Sequence, residues 1–283
     1  MRRILIGFMM GLGIGLPAHA YDVEISGLSD EGLRETAKAI SVSWTGRDEK
    51  DVRRAVLYQR MERDRQALTD LLASEGYYAA RIDARLSKTG IIIHIEQGPR
   101  FTFGTTEIRF EDARPERFTF DFAAHGVKAG EPARAEPVNK ARAALEDAIA
   151  DLGYYGAAYP CRDQRADHRS NTVTLTWCVR TGPVHHVRGV TVKGSEDVKT
   201  PYVLTVATVE DGAVLTPELQ TLAARRLAQS GLFKTIAVEP RVIDPATGDT
   251  ELDIVLDDAH HRTVSLGARY STSDGAGVTA AWT

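Results

Sequence analysis

A chain of 283 residues with 35 Lys and Arg against 39 Asp and Glu carries a formal charge of -4 and shows no basic cluster, which argues against a nucleic-acid partner, whose phosphates demand one. Its 43% hydrophobic content is enough for buried cores, yet no stretch after the N-terminus approaches the roughly 18 uncharged apolar residues of a membrane helix. Cys161 and Cys178 are its two cysteines, a pair that can persist as one disulfide in an oxidising compartment.

The N-terminus has the three parts of a secretory signal. Arg2 and Arg3 supply positive charge, Ile4 to Leu16 an apolar run of signal length, and Ala18-His19-Ala20 a small-residue cleavage site. Cleavage before Tyr21 removes two basic residues and no acidic one, so the mature chain is more acidic still. A retained anchor is the alternative.

From Tyr21 one pattern occurs three times. A strand opens it (Tyr21 to Ser26), and an amphipathic helix follows, ending in Glu75-Gly76-Tyr77-Tyr78. A strand then alternates Ala80, Ile82, Ala84 and Leu86 with Arg81, Asp83, Arg85 and Ser87, and Gly98-Pro99 closes the repeat. The glycine stands where a helix end favours positive φ, and the aromatic pair starts a strand that packs back on the helix. The charged run Arg60 to Arg65 reads as a solvated helix face.

The second copy opens with Phe101 to Phe110 and has its helix stop at Gly153-Tyr154-Tyr155. Its closing strand alternates Val173, Leu175, Trp177 and Val179 with Thr172, Thr174, Thr176 and Cys178, ending at Gly182-Pro183. Cys161 and Cys178 lie equally far from a turn near Arg169-Ser170, so on a hairpin they face each other. A bridge there is worth about 3 kcal/mol on the chain-entropy model. With a shifted register they would be two free thiols.

The third copy runs from Val187 to Lys193, through a helix with Thr216 as N-cap and Pro217 at its first position, to Gly231-Leu232-Phe233. Its closing strand holds Leu252, Ile254 and Leu256 on one face. Gly76, Gly153 and Gly231 are spaced 77 and 78 residues apart, a domain-sized period. His185-His186 and His260-His261 read as solvated boundary residues rather than metal ligands, because neighbours on a strand point to opposite faces. No nucleophile elbow, phosphate loop or metalloprotease helix occurs, so the reading is of a protein that is not an enzyme and has no cofactor and no metal.

From Thr263, Val264, Leu266, Ala268 and Tyr270 alternate with Ser265, Gly267 and Arg269, and Val278, Ala280 and Trp282 resume the period after a Gly-rich turn. This is how membrane barrel strands read. Two strands cannot close a barrel, and the chain ends at Thr283 in mid-period, which reads as a truncated or partial sequence. A final hairpin of a soluble protein is the alternative.

The helix-Gly-Tyr-Tyr-strand pattern, the Gly-Pro before each opening strand and the stretch Val190-Thr191-Val192-Lys193-Gly194-Ser195 resemble polypeptide-transport-associated (POTRA) modules. Ala73 to Tyr78, Arg225 to Pro240 and Leu266 to Gly275 resemble the TamA family, the outer-membrane subunit of the translocation and assembly module. The resemblance implies an α+β chain: signal peptide 1-20, POTRA modules at 21-99, 100-183 and 184-260, and the first two strands of a transmembrane β-barrel at 261-283. Each module would run β-α-α-β-β, a mixed three-stranded sheet with helices on one face.

The resemblance further implies a bacterial outer-membrane protein with its modules in the periplasm. Its partners would be an inner-membrane-anchored TamB-like protein, the outer membrane reached through a barrel, and unfolded outer-membrane protein and autotransporter clients. Physically, such a module offers a sheet edge that pairs with an extended backbone, and the candidate edges are Arg81-Ile82-Asp83 and Ile236 with Val238. A soluble periplasmic scaffold and a two-partner secretion pore are the alternatives; such pores carry two modules and BamA-like proteins five, against three here.

Overall fold

The computed structural model describes residues 20-259, 264-271 and 275-282. Two compact units emerge. One comprises the described part of Met1–Gly104 with Ala129–Glu136 and Ala166–Val173; the other comprises Thr105–Lys128, Pro137–Arg165 and the described part of Thr174–Thr283.

In the first unit, β1 (Asp22–Ser26) leads into α1 (Glu31–Ile40), α2 (Val42–Thr45) and α3 (Arg54–Ser74), then the hairpin β2 (Arg81–Leu86) and β3 (Gly90–Glu96). The helical crossover lets β1 return parallel to β3, with Val23 opposite Ile91 and Ile25 opposite Ile93, while β2 pairs antiparallel on the other side. The sheet order is therefore β1-β3-β2, and β2 is an edge. Ile91, Ile93 and Ile95 point from the central strand onto Leu68 and Leu72 of α3, all but inaccessible to water. Each such side chain contributes about 2 kcal/mol of burial.

The run Arg60 to Arg65 is not a uniformly solvated face. Asp64 is fully buried and Met61 nearly so. The Asp64 carboxylate accepts from the Ser41 hydroxyl at 2.8 Å and from the backbone N–H groups of Val42 at 2.7 Å and Ser43 at 3.1 Å. It thereby satisfies donors at the start of α2 that the helix cannot pair itself. The one-turn helix wedged against α3 makes an interior position of what looks like a surface charge.

The second sheet joins β4 (Thr102–Phe110), β5 (Ala158–Asp167) and β6 (Thr172–Arg180) in the order β4-β6-β5, with α4 (Ala135–Ala150) between β4 and β5 in sequence. Between β4 and α4 runs an aromatic loop with a single 3-10 turn, Phe122–His125. There Phe118 packs edge-on against Phe110 at 5.1 Å, and Phe122 lies tilted against Trp177 at 5.0 Å.

The third sheet repeats the plan of the first. β7 (His186–Lys193) is followed by α5 (Thr200–Ala207), α6 (Pro217–Gln229), β8 (Phe233–Asp244) and β9 (Asp249–Asp258), in the order β7-β9-β8. Thr216 caps α6 by accepting from Leu219 N–H at 3.1 Å. Ala223 and Leu227 of this helix are buried on Ile254 and Leu256. On the other face of the sheet, Asp253 joins Lys193 at 2.6 Å to Arg241 at 3.4 Å, so charged pairs coat the side away from the helices. β10 (Val264–Ser271) and β11 (Gly275–Trp282) form a separate antiparallel pair with Leu266 opposite Ala280. Among the described residues, no helix is long and apolar enough to cross a membrane.

Candidate functional site

The three helix-stop glycines all take positive φ: +92° at Gly76, +91° at Gly153 and +70° at Gly231. At the first two, the carbonyl freed by the helix end becomes an anchor for the next opening strand. Phe101 N–H donates to Gly76 O, and His185 N–H donates to Gly153 O, each at 2.8 Å. The same strand start then meets the segment before the following helix: Ala133 N–H donates to Phe101 O and Leu215 N–H to His185 O, each at 2.9 Å. Tyr78 adds a hydroxyl bond to Ala133 O at 3.1 Å. The third stop differs, for the bond is from Ala259 N–H to Leu232 O at 2.8 Å, while Phe233 begins β8.

His185 is therefore not a solvated boundary residue. It is 2% exposed, and its Nδ1 lies 2.8 Å from the Thr250 hydroxyl. The docking of its strand onto Gly153 and Leu215 closes protein around the ring. His186 is half-buried, and His260-His261 lie outside the described residues.

A second recurring device ties the loop after each opening strand to the end of the closing strand. Gln97 Oε1 accepts from the Ser29 N–H and hydroxyl, and the Asp258 carboxylate accepts from Ser195 Oγ and from the N–H groups of Glu196 and Asp197. The middle copy reverses the roles: Asp112 accepts from the Thr181 N–H and hydroxyl and from Gly182 N–H. Burial works to raise the Asp112 pKa, but these bonds outweigh it and hold it below the usual carboxylate range. Sequence reading missed this clasp, although a polar residue just before each Gly-Pro, Gln97 and Thr181, was its visible trace.

Cys161 on β5 and Cys178 on β6 form a disulfide, with Cα atoms 4.9 Å apart across 17 residues. Ala18 lies outside the described residues. Ala20 and Tyr21 both donate backbone N–H to Arg47 O, and the Tyr21 ring is buried with its hydroxyl on Ser43 O at 3.0 Å.

The two candidate edges differ in kind. Arg81, Ile82 and Asp83 begin β2, a strand of six residues whose outward positions are charged. Ile236 and Val238 lie in β8, twice as long at 12 residues. A groove of about 540 Å³ runs between β8 and α6, lined by Thr221, Ala224, Arg225 and Ala228 on the helix and Phe233, Lys234 and Ile236 on the strand. A second groove of about 480 Å³ lies where α4, the Tyr154-Tyr155 pair and the first turn of α6 converge. Among the described residues, no three His, Cys, Asp or Glu side chains gather as a metal set.

Mixed three-stranded sheets, each covered by helices on one face and succeeding one another along the chain, define tandem POTRA modules. In fold the chain is similar to BamA from Haemophilus ducreyi lacking POTRA domains 1-3: over 64% of this chain and 34% of the other, the two superimpose with a TM-score of 0.51 at 16% identity. The chain thus spans about a third of that structure. BamA POTRA3-5 from Haemophilus influenzae matches with a TM-score of 0.48 at 15% identity, covering 85% of this chain and 96% of that one. POTRA1-3 of Omp85 from Anabaena matches with a TM-score of 0.39 at 14% identity, covering 85% and 95%. No protein-family model and no curated protein matches the sequence.

Proposed function

We propose that this chain is the periplasmic arm of an outer-membrane protein assembly factor of the TamA kind, which holds extended client segments by adding them as a strand to β8. In this reading the signal peptide covers 1-20, the modules 21-99, 100-183 and 184-260, and the first barrel strands 261-283. An inner-membrane-anchored TamB-like protein is the partner, unfolded outer-membrane proteins and autotransporters are the clients, and a barrel carries the link to the outer membrane. Val278 of the β10–β11 pair, an apolar side chain 80% exposed, suits a strand that faces lipid.

The observation that carries the reading is the open edge of β8 with a groove beside it. Among the described residues β8 pairs with β9 on one side and is terminal on the other. Pro240 has no N–H to give, so it sits without loss in this strand when its nitrogen points away from β9. The register is regular from Thr235 to Val242. Because alternate residues of an antiparallel strand turn their backbone groups the same way, Ile236 and Val238 then also present N–H and C=O outward. Their side chains meanwhile pack inward on the core beneath α6. An extended backbone supplies the missing partners irrespective of its side chains, which suits a receptor for many clients.

The test is binding of a fluorescent peptide from a barrel strand to the whole chain, measured by anisotropy. Peptides N-methylated at alternate amides should lose binding in one phase and keep it in the other, since only one phase bonds to the β8 edge. Equal affinity of both phases and of the unmethylated peptide would sink the proposal.

A further inference from the structure

We propose that the trough along α6 reads the order of charge in an extended client, seating a Lys or Arg at its Asp147 end and an Asp or Glu at its Arg225 and Lys234 end. This rests on the reading of β8 as the client edge and adds to it a specificity that backbone pairing alone lacks.

The two grooves described above meet on one stripe of α6. Pro217, Gln220 and Thr221 line the groove near the second module, and Thr221, Ala224, Arg225 and Ala228 line the groove beside β8. These positions recur every three to four residues, the spacing of a single helix face, and Thr221 belongs to both grooves.

The ends are opposite in charge. Around Pro217 the charged lining is Glu146 and Asp147, set among Tyr154, Tyr155 and Tyr159, with no Lys or Arg. Around Ala228 it is Arg225 and Lys234, with no Asp or Glu. Glu146 already pairs with Arg162 at 2.8 Å, and the Arg162 guanidinium lies 5.1 Å from the centre of the Tyr159 ring. The protein's own arginine thus displays the chemistry of this end, a cation held between a carboxylate and an aromatic face. Asp147 has no ion-pair partner among the described residues and remains for an incoming cation. Burial, with the negative charge of Glu146, pushes the Tyr159 phenol up to about 12, so it stays a neutral donor under all working conditions.

At the other end Arg225 likewise has no ion-pair partner among the described residues, and Lys234 has only Asp257 at 3.7 Å, both exposed. From Gln220 to Ala228 the helix rises about 12 Å, which about four residues of extended chain cover. The ligand is therefore a strand with one basic and one acidic side chain roughly that far apart.

The experiment compares two otherwise identical Thr/Val-rich peptides, one with Lys and Glu about four positions apart and one with Gln at both places, binding to the whole chain and to Asp147→Lys and Arg225→Glu variants. Both substitutions fall on exposed helix positions, and far-UV circular dichroism checks that they fold. The charged peptide should bind the unaltered chain about tenfold more tightly than the neutral one. Each variant should remove that advantage and leave the neutral peptide unchanged. A benzophenone beside the Lys should crosslink to Tyr154–Tyr159, and one beside the Glu to Phe233–Ile236. If both peptides bind equally and the variants change neither, charge reading is overturned while strand addition stands. If neither binds at all, both fall.

Discussion

His185 occupies in the second junction the place that Phe101 occupies in the first. Each donates its N–H to the carbonyl of a helix-stop glycine, and each ring packs edge-on against the second tyrosine after that glycine: Phe101 on Tyr78 at 5.5 Å and His185 on Tyr155 at 5.9 Å. One junction therefore centres on an inert ring, flanked by the exposed His168 at 5.2 Å, and the other on a buried titratable one.

Burial lowers the His185 pKa from its ordinary 6.5, and the neighbouring His186 adds to the effect. The closed junction thus favours the neutral ring, while an opened one takes a proton at higher pH. Stability is fully present above about pH 6.5 and falls as pH drops from there through the lowered folded-state value. Hydrogen exchange at His185 and Leu215, corrected for intrinsic rates, should quicken between neutral and mildly acid pH, while exchange at Phe101 and Ala133 does not. His185→Phe should abolish the difference. Equal pH response at both junctions would refute the assignment.

The first junction should instead respond to salt. Glu75 meets Arg100 at 3.0 Å and Arg134 at 3.3 Å, and all three side chains are partly exposed. At the corresponding places of the second junction stand Leu152, Val184 and Thr216, none of them charged. Exposed pairs contribute up to about 1 kcal/mol and are screened by ions. Glu75→Gln should therefore speed exchange at Phe101 by about two- to fivefold in low salt. The gap between variant and parent should close at high salt, with His185 unaffected throughout. A gap that persists would mean that Glu75 acts through packing rather than charge.

What could be read from sequence was local. The positive-φ glycines sit beside the aromatic pairs they serve, and the hairpins declare themselves by alternation over a few residues. His185 and Asp64 escaped because their burial is decided by residues far along the chain: Gly153 and Leu215 for the one, Ser41 to Ser43 for the other. The clasps escaped for the same reason, since Gln97 and Ser29 are 68 residues apart. The preference for β8 over β2 needed the groove, which forms only once α6 lies beside its strand.

Asp64 offers a test of the buried carboxylate. Asp64→Ala would leave the Ser41 hydroxyl and the N–H groups of Val42 and Ser43 without their acceptor in a dry site. Each orphaned donor costs about 1 kcal/mol or more, so a loss of at least about 3 kcal/mol is expected. Trp44 lies on the helix that Asp64 caps and reports its fate directly. Urea unfolding followed by Trp44 fluorescence, with Trp177 and Trp282 replaced by Phe, should shift to lower denaturant in Asp64→Ala and less in Asp64→Asn, which keeps one acceptor oxygen. An unshifted midpoint would mean that water replaces the carboxylate.

The disulfide should act on the second sheet alone. Cys161 lies on the edge strand β5 and Cys178 on the central strand β6, so the bridge fastens an edge that otherwise rests on backbone bonds and the turn. A closed loop of this size restricts the unfolded chain by about 3 kcal/mol. Cys178 sits on the less buried face, between inward-pointing Trp177 and Val179, so replacing both cysteines by serine leaves no unfilled core. In the Cys161→Ser/Cys178→Ser chain, hydrogen exchange across Thr172–Arg180 should accelerate, while the sheet β7-β9-β8 keeps its protection. Reduction of the unaltered chain should reproduce the pattern. If protection in β6 is unchanged, the aromatic packing of Trp177 already holds the hairpin and the bridge adds no stability; if the loss spreads to β9, the second and third sheets unfold as one cooperative body.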